Sequence, residues 1–131
     1  MNILVVDDDP DIRRIAALAL ERLGGFRVTV AASGAEALEL ARGQRPDVVL
    51  LDVSMPGADG PETLLALRSN PATSQLPVIF FTATSSEGEA ARLRALGAIG
   101  VVPKPFDFAD LPRRVRGIME AVATESSGRH D

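Results

Sequence analysis

The chain has 131 residues, 46% of them hydrophobic and 24% charged, which is the make-up of one globular domain able to bury a core. A formal net charge of −4 gives no global attraction to nucleic acid or to an anionic membrane, and no apolar run approaches the roughly 20 residues that span a bilayer. Cysteine is absent and the single histidine is the penultimate residue, His130, which excludes disulfides and thiolate chemistry and argues against a Ser-His-Asp triad or a histidine metal site.

Residues 2–7 predict a first strand that follows Met1 directly, with no charged lead or signal segment; its apolar run Ile3-Leu4-Val5-Val6 ends in Asp7-Asp8. Asp9 is suited to cap a helix that takes Pro10 in its first turn. Ile12, Ile15, Ala16, Ala19 and Leu23 then recur at helical spacing, until Gly24-Gly25 stops the helix. Phe26, Val28 and Val30 alternate as a second strand. Ser33 and Glu36 have the spacing of a capping box, opening a helix that runs to about Arg42. Pro46 leads into a third strand, Val48-Val49-Leu50-Leu51, which ends in Asp52. Pro61 fits the first turn of a third helix carrying Leu64, Leu65 and Leu67, and Ser69-Asn70-Pro71 breaks it. The fourth strand, Val78-Ile79-Phe80-Phe81, ends in Thr82. Ser86 and Glu89 suggest another capping box, before Ala90, Leu93 and Leu96, with Gly97 as the stop. Ile99 through Val102 form a fifth strand shortly before Lys104. With Asp107 as cap of the last helix, Pro112 would fall where an N–H is needed, so the spacing favours a loose first turn or a start at Asp110. Val115, Ile118, Met119 and Val122 then face the core, and residues 124–131 read as a disordered tail, leaving a domain of residues 1–123.

Strands alternating with amphipathic helices predict an α/β fold with a parallel sheet. In such a sheet, functional groups gather beyond the carboxyl ends of the strands. Asp7, Asp8, Asp52, Thr82 and Lys104 all fall there, on four separate strands. Taken singly, each has an ordinary reading as a turn former, a structural hydroxyl or a solvated charge; their coincidence argues for one site. Two carboxylates about 4 Å apart repel by roughly 4 kcal/mol at an effective dielectric near 20. Three together with one lysine leave surplus negative charge, which oxygen-only ligands balance best with a hard cation such as Mg2+. A metal, an ammonium and a hydroxyl around a carboxylate suit an incoming phosphoryl dianion, with the carboxylate itself as acceptor.

The motifs Leu4-Val5-Val6-Asp7-Asp8-Asp9, Asp52 with Met55-Pro56 and Asp59-Gly60, Thr82-Ala83, and Lys104-Pro105-Phe106 resemble, in order and spacing, the receiver domain of two-component response regulators. Each motif is weak alone; together they are specific, and the likeness covers roughly residues 2–122. The resemblance implies a flavodoxin-like, doubly wound sheet of order 2-1-3-4-5 with five helices. It implies that Asp52 takes a phosphoryl group from a phosphohistidine on a sensor histidine kinase or histidine phosphotransfer protein. Asp7 (through water), Asp8, Asp52 and the Ser54 backbone carbonyl would hold Mg2+, while Thr82, Lys104 and the Ala83 N–H would contact the phosphoryl oxygens. A cis Lys104–Pro105 bond is also implied. The expected role is a single-domain cytoplasmic switch that acts on another protein through the face of the fourth helix, fifth strand and fifth helix. Neither nucleic acid nor membrane is expected as a direct partner, nor turnover of a separate substrate.

Several positions depart from the family pattern. Val101 stands where an aromatic usually rotates with the threonine, Pro103 stiffens the approach to Lys104, and Pro61 and Pro112 alter two helix starts. Ser54 and Thr84, which occupy positions that govern water access in the family, are small and are expected to shield a phosphate weakly. A phosphatase of the haloacid-dehalogenase type needs an Asp-x-Asp-x-Thr/Val motif, and Asp7-Asp8-Asp9-Pro10-Asp11 lacks its last residue. A flavin carrier would need a phosphate-cradling loop where this chain is acidic. A phosphate-independent docking role is disfavoured by the intact acidic set.

Overall fold

The structure, a computed structural model, describes residues 1–83 and 86–128, with side chains through Ala123 in the last helix. Five strands alternate with five helices: β1 (Asn2–Val6), α1 (Pro10–Arg22), β2 (Arg27–Ala31), α2 (Gly34–Gln44), β3 (Val48–Asp52), α3 (Gly60–Ser69), β4 (Val78–Thr82), α4 (Glu87–Ala95), β5 (Gly100–Pro103) and α5 (Leu111–Gly128). All strand pairs are parallel and the sheet order is β2-β1-β3-β4-β5, a flavodoxin-like doubly wound arrangement. The order reverses between β1 and β3, which makes the carboxyl ends of those two strands the natural crevice.

β3 and β4 are buried along their whole length, as parallel strands covered on both faces must be. Alternate residues feed two cores. Leu4, Val6, Val49, Leu51 and Phe80 pack with Ala37, Ala41, Leu64, Leu67 and Leu93 of α2, α3 and α4. Ile3, Val5, Leu50, Ile79 and Phe81 pack with Ala16, Ala19, Leu20, Leu111 and Val115 of α1 and α5. Phe80 and Phe81, neighbours in sequence, therefore lie in different layers.

The helix starts follow their capping residues. Asp9 accepts from the Asp11 N–H ahead of Pro10, and Ser33 and Ser86 accept from the Glu36 and Glu89 N–H groups. α3 carries a reciprocal capping box, Asp59 with Glu62. Asp107 forms its own turn, accepting from the Ala109 N–H at 2.9 Å, and the helix proper begins after Asp110, so Pro112 sits in a first turn that needs no donor from it.

Four sequence expectations need correction. Ile15 (44% exposed), Leu23 (53%) and Leu65 (59%) face solvent, because the buried stripes are Ala16, Ala19 and Leu20 in α1 and Leu64 and Leu67 in α3, and Leu23 is already the C-cap. The backbone of α5 continues through Gly128, beyond the expected boundary at residue 123; extending a formed helix adds one hydrogen bond per residue fixed, and Glu125 is a good helix former. Arg129, His130 and Asp131 lie outside the described residues, as does Thr84. Among the described residues, no helix is long and apolar enough to cross a membrane.

The turn after β3 folds back on itself. The Gly60 N–H donates to the Val53 carbonyl at 2.9 Å. A Cβ on Gly60 would lie 2.5 Å from the Asp52 carbonyl oxygen and 2.8 Å from both Phe80 Cε1 and Val53 Cα. Gly60→Ala should therefore lower stability by about 2–3 kcal/mol, since backbone and a packed ring must move to admit one methyl. A urea midpoint equal to the parent's would contradict this packing.

Candidate functional site

Each acidic or basic group of interest is delivered by a strand end. Asp7 and Asp8 follow β1, Asp52 closes β3, Thr82 closes β4, and Lys104 follows Pro103 of β5. Because β1, β3, β4 and β5 are consecutive in the sheet, these groups meet at one rim. Asp7 is 0% exposed, Thr82 4% and Asp52 6%, whereas Asp8 reaches solvent.

Asp7 is held from several directions. Its Oδ1 accepts from the Asp9 N–H at 2.9 Å, its Oδ2 from Lys104 Nζ at 2.6 Å, and its carbonyl from Arg13 Nη1 at 2.7 Å. Lys104 Nζ also lies 3.2 Å from Asp52 Oδ1, so one ammonium bridges two buried carboxylates. The same Asp52 oxygen accepts from the Ser54 N–H at 3.3 Å. The Lys104 N–H donates to the Thr82 carbonyl at 2.7 Å, extending the β4–β5 ladder up to the lysine, and the Lys104–Pro105 peptide is cis.

The electrostatics follow from this crowding. Burial and then the Asp7 charge push the Asp52 carboxyl up from its ordinary range, against the opposing pull of Lys104 and the Ser54 N–H. Burial works to lower the Lys104 ammonium, but Asp7 and Asp52 together outweigh it and hold it above its usual value. One oxygen from each of Asp7, Asp8 and Asp52 lies within 4.8 Å of the others. Three carboxylates against one ammonium leave an excess of negative charge, and an all-oxygen set of this size fits a hard divalent cation.

A cleft of about 390 Å³ opens over these groups, lined by Asp52, Val53, Ser54, Thr82, Ala83, Lys104 and two α4 residues, Glu89 and Arg92. No motif in the sequence points to that last pair. Glu89 has the spacing of a capping residue, yet its carboxylate pairs with Arg92 Nη2 at 2.6 Å. The α4 segment must be docked on the sheet before either residue is seen to border the cleft. Val101, by contrast, lies below the rim, partly buried against the α2–α3–α4 core and in register with Phe80. The aromatic neighbours of the lysine are Phe81, whose ring centroid is 5.9 Å from Nζ, and Phe106, stacked on Phe81 at 5.5 Å.

Comparison with known proteins agrees with this arrangement. The family described as response regulator receiver domain matches residues 3–116. The chain is 40% identical over 129 residues to the transcriptional regulatory protein PrrA of Mycobacterium leprae, covering 96% of this chain and 54% of that one. It is 38% identical over 126 residues to AfsQ1 of Streptomyces coelicolor, again covering 96% of this chain and 54% of the relative. The chain thus spans about half the length of the curated relatives it matches. Among solved structures, the chemotaxis response regulator CheY4 of Vibrio cholerae superposes with a TM-score of 0.83 at 32% identity, over 89% of this chain and 97% of that one.

Proposed function

The chain belongs to the response regulator receiver domain family, and from that premise we propose that Asp52 is the phosphoacceptor of a two-component or phosphorelay system. The observation that carries this reading is the Asp52 carboxylate itself, buried at the centre of the acidic cluster and paired with the lysine it shares with Asp7.

In this reading the donor is a phosphohistidine on a sensor histidine kinase or histidine phosphotransfer protein. An Asp52 oxygen attacks phosphorus, the P–N bond breaks, and the imidazole leaves as a neutral base after taking up a proton. The product is an aspartyl-phosphate. Asp7 (through water), Asp8, Asp52 and the Ser54 carbonyl would hold Mg2+, which supplies positive charge for the phosphoryl oxygens. Lys104 gives up part of its contact with Asp52 to a phosphoryl oxygen, and Thr82 and the Ala83 N–H complete the cradle. Positioning and charge neutralisation are what phosphoryl transfer chiefly needs, and these groups provide both. The domain modifies itself and turns over no separate substrate. Modification then biases the face formed by α4, β5 and α5, through which a protein partner in the cytoplasm reads the state.

Incubation with Mg2+ and acetyl phosphate, followed by borohydride reduction and peptide mapping, should place the modification on Asp52 and nowhere else. Label on another residue, or none at all, would overturn the assignment. Sustained turnover of p-nitrophenyl phosphate would instead favour a phosphatase.

A further inference from the structure

Arg92 stands where two cavities meet. It lines the 390 Å³ cleft over Asp52 and also an adjoining groove of about 610 Å³ formed with Val53, Ser54, Met55, Pro56, Asp59 and Pro61. A phosphodonor approaching Asp52 from that side is an anion that must pass Asp59 and Glu89. Among the described residues lining the two cavities, Lys104 and Arg92 are the only cations, and Lys104 is already committed to Asp7 and Asp52.

Among the described residues, the Arg92 side chain is committed only to Glu89, one helical turn away, through a pair whose side chains are 53% and 23% exposed. Such a solvent-screened pair is weak and readily exchanged. A phosphoryl dianion offers the guanidinium a better partner, since two oxygens match its planar fork.

Resting on the phosphoacceptor reading above, we propose that Arg92 is a donor-binding residue: it releases Glu89 and grips the phosphoryl oxygens of the incoming phosphodonor at the mouth of the cleft. Glu89 acts as the resident competitor, setting how tightly the donor is held. Neither residue takes part in bond making; together they tune the capture of phosphate-bearing donors by charge.

The test is the rate of Asp52 phosphorylation as a function of acetyl phosphate concentration, at saturating Mg2+, for the parent, Arg92→Gln, Arg92→Lys and Glu89→Gln. Arg92→Gln should lower the rate at sub-saturating donor by about threefold, the scale of one partly exposed ion pair, and Glu89→Gln should raise it by about twofold. Arg92→Lys, keeping the charge without the fork, should fall between. The deficit of Arg92→Gln should shrink as salt is raised, while Mg2+ affinity and the circular dichroism spectrum stay as in the parent. A parent-like rate for Arg92→Gln, or a deficit matched by lost Mg2+ affinity, would overturn the proposal. Absence of uptake by the parent itself would remove the phosphoacceptor reading, and this inference with it.

Discussion

Asp52→Asn is expected to abolish acyl-phosphate formation and yet leave the fold about as stable as the parent. On the proposed reading, the loss of uptake follows from replacing the attacking carboxylate with an amide, whose oxygen is a poor nucleophile. The unchanged stability follows from charge. Burial and Asp7 both disfavour the Asp52 carboxylate, and Lys104 keeps its 2.6 Å contact with Asp7 after the change. The amide oxygen of the variant still accepts from the Ser54 N–H. In metal-free buffer the urea midpoint should be unchanged or higher, with a difference within about 1 kcal/mol. The sign of the pH dependence follows too. A carboxyl whose folded value lies above its unfolded one binds more protons in the native state, so the parent gains stability relative to the variant as pH falls from neutral towards that raised value. A variant weakened by several kcal/mol would mean that Asp52 holds the fold together; residual label in it would mean that another residue accepts the phosphoryl group.

Lys104→Met should have the opposite effect on stability. Methionine keeps the apolar stem beside Phe81 but leaves Asp7 and Asp52 with no compensating ammonium. Stranding buried charge in this way is expected to lower stability by about 2–4 kcal/mol in chelator. Divalent metal should recover much of it. At ten times its dissociation constant, a ligand bound only by the native state adds about 1.4 kcal/mol. Freed of the lysine, the Asp7 and Asp52 oxygens should bind Mg2+ about tenfold more tightly, another 1.4 kcal/mol in favour of the metal-bound variant. Urea unfolding of parent and variant, each with and without Mg2+, tests both signs at once. Equal stabilities in chelator, or an equal response to the metal, would show that the lysine and the cation do not share these oxygens.

The sheet and its rim were legible in the sequence because both rest on local patterns. Three apolar runs end directly in polar residues and a fourth stops one residue short of Lys104, and a parallel sheet turns that one-dimensional regularity into spatial convergence. Helix starts at Asp9, Ser33 and Ser86 are equally local, since each cap bonds an N–H two or three residues away. What escaped depends on neighbours distant in sequence. The spacing of Ile15 and Leu65 does not reveal that the helix beneath them is rotated to present alanines, or Leu64 and Leu67, to the sheet. The extension of α5 past residue 123 is set by helix propagation beyond the packed part, which core periodicity does not register. Glu89 and Arg92 reach the cleft only because α4 docks on the sheet beside β5.

The adjacency of Phe80 and Phe81 anchors β4 with a bulky ring in each of the two layers. Each ring is wedged into a different hydrophobic compartment, and the next residue is Thr82 at the rim. A tug on that threonine along the strand axis cannot be absorbed on one side of the molecule; it strains the packing under α1 and α5 and that under α2, α3 and α4 together. Val101, in register with Phe80, adds no ring to either compartment, so under the proposed phosphorylation a shift of the β4 backbone would be felt on both flanks.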